Sequence, residues 1–193
     1  MRSRGGAYDG PDVVNREPVI IVSGQVAAGK TTFGEMLRAR GLQYARVSQA
    51  IGRRWGSSEE GRPTRDWYRK MGLRLHREVG QDVLCEETLR LVDDHEAGFV
   101  VEGARWHDDI AFFRRRFGAR MVHVHLTAPV DLRRRRFEGR EQGGDFDEAE
   151  ADEVESEVDA LAGHADVVFE NSGETTDPLA ALINAIVGEE GSR

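Results

Sequence analysis

The run Gly24-Gln25-Val26-Ala27-Ala28-Gly29-Lys30-Thr31 carries the pattern G-x-x-x-x-G-K-[ST], and that spacing points to phosphate chemistry. Gly24 and Gly29 let the backbone fold tightly, so that successive N–H groups converge as a cradle for an anion. From Thr31 and Thr32 onward, TTFGEMLRAR reads as a helix whose positive dipole end faces the same point. A di- or triphosphate fits such a cradle. Lys30 would bridge the β- and γ-phosphates as a cation, and the Thr31 hydroxyl would ligate Mg²⁺.

Holding that loop requires a strand before it and a helix after it. VIIVSG, from Val19, is short, β-branched and apolar up to its closing glycine, as expected for a central parallel strand buried on both faces. Similar runs recur at 43–48 (QYARVS), 98–103 (GFVVEG), 119–127 (ARMVHVHLT) and 165–171 (ADVVFEN), separated by helix-compatible stretches. Five strands alternating with helices imply an α/β fold, a five-stranded parallel sheet with helices on both faces. The last helix is predicted to be capped by Asp177, with Pro178 in its first turn and Leu179, Leu182, Ile183, Ile186 and Val187 on one face. Between Thr64 and Asp94, Met71, Leu75, Val79 and Val83 recur at four-residue steps, and Gly72 and Gly80 mark where two helices could separate.

At 193 residues, 39% hydrophobic and 32% charged, the chain is expected to form a single domain over 18–190 after a polar, aperiodic N-terminal arm at 1–17. Its apolar runs are too short to span a membrane. With 27 Lys plus Arg against 35 Asp plus Glu, the net charge of −8 opposes sequence-independent binding of nucleic acid. Cys85 is the sole cysteine and the start MRSRGGAYDG lacks an apolar signal core, so a cytoplasmic location is expected. Only Lys30 and Lys70 are lysines, so 27 − 2 = 25 of the basic residues are arginine and each arginine cluster is less informative than usual.

A phosphate loop serves several classes of protein, and other segments narrow the choice. Neither lysine lies in the Asn-Lys-x-Asp element with which GTPases read guanine, and the third strand ends Val100-Val101-Glu102-Gly103 without the paired Asp-Glu of large ring-forming ATPases. A small-molecule kinase remains. Ligands of open parallel sheets sit beyond the carboxyl ends of the strands, where Ser48, Glu102 and Gly103 would converge with residues 24–32. Glu102 could orient Mg²⁺ through water or accept the proton of an attacking hydroxyl. Arg53 and Arg105 could bind an anionic group of the acceptor bidentately. Arg133, Arg136 and Arg140 stand three and four positions apart, so a helix would present them on one face.

Together these segments resemble the nucleoside-monophosphate-kinase-like superfamily of P-loop proteins, nearest to dephospho-CoA kinase-like and related nucleotide kinases. The resemblance runs from about Val19 to the last helix. It is carried by the phosphate loop, by Ser48-Gln49-Ala50-Ile51-Gly52-Arg53-Arg54, by Glu102-Gly103-Ala104-Arg105, and by Arg133 through Arg140. It implies a three-layer P-loop kinase fold with a small arginine-bearing lid over about 133–159, and ATP with Mg²⁺ as cofactors. Lys30, Glu102, Arg136 and Arg140 would be catalytic, and Thr31 and Glu102 would serve the metal. Nucleotide contacts would come from Gly24, Gln25, Val26, Ala27, Ala28, Gly29, Lys30, Thr31, Thr32 and Arg133, with Asn171 and Gly173 beside the adenine. Ser48, Arg53, Gly103 and Arg105 would bind the acceptor. The sequence departs from the family where the second strand ends, because Ser48 and Gln49 stand in place of an aspartate that acts as general base.

The expected activity is therefore transfer of the γ-phosphoryl group of ATP to a nucleotide-like acceptor, a nucleoside monophosphate or a dephospho-CoA-like molecule. Two alternatives stand beside it: a kinase of a nucleoside or other metabolite hydroxyl, and a nucleotide-binding regulatory ATPase. The second would recruit a partner through 141–159, which holds ten acidic residues and no basic one. His123 and His125 alternate on the fourth strand and would form a metal pair only with a third ligand, core packing being the other reading. His107-Asp108-Asp109 reads as a helix start with an aspartate cap, from which His107 could still reach the acceptor. Trp55, Trp67, Tyr68 and Trp106 could wall an acceptor pocket or simply pack. Cys85 reads as a small buried hydrophobe.

Overall fold

The computed structural model describes residues 17–56, 64–139, 145–151 and 153–189. Among these, β1 (Val19–Gly24), β2 (Gln43–Arg46), β3 (Phe99–Glu102), β4 (Met121–Thr127) and β5 (Val167–Glu170) form one parallel sheet in the order β2-β3-β1-β4-β5. The helices are α1 (Lys30–Ala39), α2 (Val47–Trp55), α3 (Arg65–Glu78), α4 (Gln81–Leu89), α5 (His107–Phe117), α6 (Val130–Glu138), α7 (Phe146–Glu150), α8 (Glu153–Ala160) and α9 (Asp177–Val187). No helix among the described residues is long and apolar enough to cross a membrane.

The apolar run of β1 occupies the centre of the sheet, and all six of its residues are buried. Its side chains alternate between two cores, as the period of a strand requires. Ile20 and Val22 pack with Phe33 and Leu37 of α1 and Leu179 and Ile183 of α9. Val19 and Ile21 face the other way, onto Cys85 and Leu89 of α4 and Phe112 and Phe113 of α5. These are the three layers expected from the strand-and-helix alternation. The chain runs outward from β1 to β2, returns to β3 beside β1 and then crosses to β4 on the other side, so its direction of winding reverses at β1. Beyond the carboxyl ends of β3, β1 and β4 lies the crevice where such sheets bind ligands.

Two expected boundaries move, and the expected division of the 64–94 stretch falls at one of its two glycines. The second strand stops at Arg46, opposite Glu102, and α2 begins at once, its start fastened by the Gln49 side chain accepting from the Arg46 N–H (3.1 Å). Ser48 therefore lies in the first turn of a helix and not at a strand end. The 64–94 stretch divides at Gly80, whose φ of +92° a side chain would strain, and Gly72 stays inside α3. At the last helix Thr176 takes the capping position and Asp177 is the first helical residue, with Pro178 next to it as expected.

Where the lid was expected, α6, α7 and α8 follow one another, while Arg140 and residues 141–144 lie outside the described residues, as do residues 1–16 of the expected arm. Phe137 of α6 and Phe146 of α7 meet edge to face at 5.6 Å and form a small core with Val26 and Ala27 of the phosphate loop.

Phe113 is fully buried, whereas Val168 on the edge strand is 53% exposed. Phe113→Ala is expected to cost about 3–5 kcal/mol, and Val168→Ala to stay within about 0.5 kcal/mol. Urea unfolding followed by circular dichroism measures both, and equal losses would contradict the two-core arrangement.

Candidate phosphate-binding and acceptor site

The phosphate loop is bolted to the sheet through its backbone. The Gln25 N–H donates to the carbonyl of Leu126 (3.0 Å), and a Cβ on Gly24, where φ is +138°, would run into that same carbonyl. Gly24 is thus required by contact as well as by conformation. At the far side, the Asn171 amide donates to the carbonyl of Ala28 (2.9 Å) while its N–H donates to Thr127 (2.8 Å). Gly29, with φ +105°, precedes α1 and brings no side-chain cap, and the first turn of α1 holds no acid, so its N–H dipole end is left for an anion. Lys30 donates through Nζ to the carbonyls of Gly24 and Gln25, the latter at 2.6 Å, and so lies along the loop it belongs to.

Glu102 closes the site from β3. It is 6% exposed, and its two oxygens are divided among three partners. Oε1 accepts from the Thr31 hydroxyl (2.8 Å); Oε2 accepts from the Tyr44 hydroxyl and lies 3.2 Å from Arg46 Nε. Burial first, then the charge of Glu102, holds the Tyr44 hydroxyl well above its ordinary range, so Tyr44 stays a donor. Tyr44 and Arg46 were not singled out from the sequence. Residues two apart on β2 share a face, but that this face meets Glu102 follows from the pairing of β2 with β3.

A second polar cluster lies beneath the loop. Ser23 Oγ sits 2.7 Å from His123 Nε2 and 2.9 Å from His125 Nδ1, and both rings are fully buried. The histidines do share a face, but a serine joins them; among the described residues no three metal-ligating side chains are grouped. Burial lowers both pKa values, that of His123 to about 4.

The β3–α5 turn is held by a third network. Asp109, 3% exposed, accepts from the N–H groups of Arg105 (2.8 Å) and Trp106 (3.1 Å), so it caps the start of α5 as the sequence indicated. Gln81 donates to Asp109 Oδ1 (2.8 Å), and its amide oxygen accepts from Trp106 Nε1 (2.7 Å) and His76 Nδ1 (2.9 Å). His76 and Trp106 stack at 3.8 Å with an interplanar angle of 8°. Burial pushes the Asp109 carboxyl up to about 6. Cys85 donates weakly to Asp109 (3.5 Å), and burial raises its thiol, consistent with an inert packing role.

The structure therefore brings together Gly24 through Thr32, Glu102, Gly103 and Asn171. Gly103 takes φ +104° and donates its N–H to Val22 (3.0 Å). Arg136 is tied in by donating to the carbonyls of Asn171 (3.2 Å) and Gly173 (2.6 Å). Arg133, expected on one helical face with Arg136 and Arg140, is 5% exposed, donates to Ala128 (2.9 Å) and pairs with Glu150 (2.5 Å), clamping α6 to α7. Arg105 pairs with Glu155 (2.9 Å) on α8, and Arg53 is exposed on α2. Ser48 is half-buried on the same helix.

No protein-family profile matches the chain. It is 27% identical over 176 residues to UPF0200 proteins of two Halobacterium salinarum strains, covering 87% of this chain and 90% of theirs. Among solved structures it resembles TT1252 from Thermus thermophilus (TM-score 0.59, 20% identity, 92% of this chain and 100% of that one). A sugar kinase from Janibacter sp. HTCC2649 gives TM-score 0.57 at 17% identity, over 89% of this chain and 96% of that one. Shikimate kinase from Aquifex aeolicus gives 0.53 at 14%, over 89% and 99%. The chain has the three-layer α/β fold of P-loop kinases.

His123 yields a stability prediction. Its folded pKa of about 4 lies below its ordinary 6.5, so its contribution is fully present above pH 6.5 and is lost as pH falls toward 4. Asp109, raised from 3.8 to about 6, acts oppositely over nearly the same window, gaining stability as pH falls and masking the slope in the parent protein. The stability of His123→Gln relative to the parent is therefore expected to improve by about 3 kcal/mol between pH 6.5 and 4. A pH-independent difference in urea midpoints would contradict this.

Proposed function

We propose that the protein is a Mg²⁺-dependent kinase that transfers the γ-phosphoryl group of ATP to a hydroxyl of a small metabolite. The reading is carried by the Thr31–Glu102 hydrogen bond (2.8 Å) at the mouth of a loop that also presents Lys30 and an uncapped helix start. These residues fit the groups they would hold: backbone N–H donors and an ammonium for phosphates, a hydroxyl and a carboxylate for a hard cation. ATP supplies the phosphoryl group, and Mg²⁺ neutralises charge on it.

The chain's own residues do the rest. Lys30 exchanges its two carbonyl partners for phosphate oxygens, which its three N–H donors permit. Glu102 orients Thr31, because Tyr44 and Arg46 already occupy its second oxygen; this favours orientation over service as a general base. Arg136, tied to the loop through Asn171, neutralises charge that spreads over the transferring group. The acceptor oxygen forms its bond to the γ-phosphorus as the bond to the β–γ bridging oxygen breaks, ADP leaves with the electron pair, and the hydroxyl proton passes to water. A loose transition state depends on alignment more than on a strong base, so Ser48 in place of an aspartate does not disable transfer.

A hydroxyl acceptor is favoured over a nucleotide phosphate because Arg105, the guanidinium assigned to an acceptor anion, is already matched by Glu155. The sugar and shikimate kinases of the same fold, by their names, act on hydroxylated metabolites. A cytoplasmic setting suits the reading.

Lys30→Ala is expected to lower acceptor-dependent ADP formation by about a hundredfold or more, with the folded state retained by circular dichroism. Glu102→Gln is expected to raise the Mg²⁺ concentration needed for half-maximal rate. Unchanged triphosphate affinity and turnover in folded Lys30→Ala would overturn the proposal.

A further inference from the structure

Between α3, the start of α5 and α8 lies a cavity of about 300 Å³ lined by Leu73, His76, Arg77, Trp106, Asp108 and Glu157, with His107 beside them. It adjoins the turn that follows β3. Trp106 follows Glu102 by four residues, so no more than about 14 Å separates their backbone positions, and Glu102 holds Thr31.

Three properties of the wall restrict its occupant. The first is size: about 300 Å³ is the lower end of the range of small-molecule sites, which suits a single ring. The second is charge: Asp108 and Glu157 outnumber Arg77, and Arg105 nearby is neutralised by Glu155. A phosphate monoester or carboxylate brought here would meet more like charge than opposite charge, whereas hydroxyl and ammonium groups can donate to both carboxylates. The third is shape: His76 and Trp106 stack face to face, which leaves an occupant the outer face or edge of the pair. Its position is fixed by Gln81, which takes hydrogen bonds from both rings, and by Asp109, which holds Gln81 and the Trp106 backbone. A rigid aromatic plane beside an apolar Leu73 matches the C–H face of a saturated ring.

We propose that this cavity is the acceptor subsite and that it takes an uncharged or amine-bearing polyhydroxylated ring of monosaccharide size. The ring lies against the Trp106–His76 pair, and Asp108 and Glu157 accept from its hydroxyl or ammonium groups. The identification of the ring as acceptor rests on the kinase reading; its binding chemistry does not.

The test uses the full chain with ATP and Mg²⁺ and three matching probes (glucose, myo-inositol and glucosamine), against three anionic ones (gluconate, shikimate and AMP). ADP release and calorimetric binding are both recorded. Asp108→Asn and Glu157→Gln are surface changes that should fold, and each is expected to raise KM and Kd for the responding probe about tenfold or more, with a smaller effect on kcat. Turnover or binding confined to the anionic probes, or tightening of those probes in either variant, overturns the inference while the kinase reading stands. Binding of a matching probe that weakens in both variants, with no ADP formed by any probe, keeps the subsite and overturns the kinase reading. Failure of all three matching probes to bind overturns the inference.

Discussion

The close passage of the phosphate loop over the end of β4 is the constraint on which the rest of the molecule turns. Gly24 lies against the carbonyl of Leu126, and Gln25 donates to that carbonyl, so the loop leaves the sheet at one point and in one direction. Asn171 fixes the other end of the loop from the turn after β5. These two fastenings couple the loop that follows the central strand β1 to β4 and to the end of β5, and the start of α1 inherits its aim from them. Preorganisation of this kind is what lets backbone dipoles stabilise charge without reorganising.

The crevice is surrounded by polar clusters that the fold had to satisfy one by one. Glu102, Ser23 with its two histidines, and Asp109 with Gln81 all sit in or near full burial, where an unmatched polar group costs about 1–3 kcal/mol. Residues from other elements match Glu102 (α1 and β2), Ser23 (β4) and Asp109 (α4 and the β3–α5 turn), while Nδ1 of His123 and Nε2 of His125 have no hydrogen-bond partner among the described residues. The same contacts that satisfy these groups also set the positions of Thr31, the strand ends and Trp106. Stability and site geometry are thus served by one set of hydrogen bonds.

Arginine dominates the basic residues, and the structure assigns it two kinds of work. Arg133 and Arg105 fasten helices of the 130–160 region by pairing with Glu150 and Glu155. Arg136 instead donates to carbonyls at the loop's own border. Part of the acidic stretch between 141 and 159 is therefore counter-charge to the basic run before it, which explains why the two are adjacent in sequence.

The phosphate loop, the five strands and their alternation with helices were legible in the sequence, because each depends on residue types at short, fixed spacing. A β-branched apolar run ending in glycine and a Gly-Lys-Thr helix start leave few conformations open. Glu102 was legible for the same reason, as the polar residue closing an apolar strand. What only the tertiary structure decided are the partners drawn from distant segments: Tyr44 and Arg46 on Glu102, Ser23 between His123 and His125, Gln81 beneath Trp106, and the different fates of Arg133 and Arg136. Local pattern specifies backbone conformation, but which side chains meet depends on strand order and helix packing. Those are properties of the assembled sheet, and no window of sequence contains them.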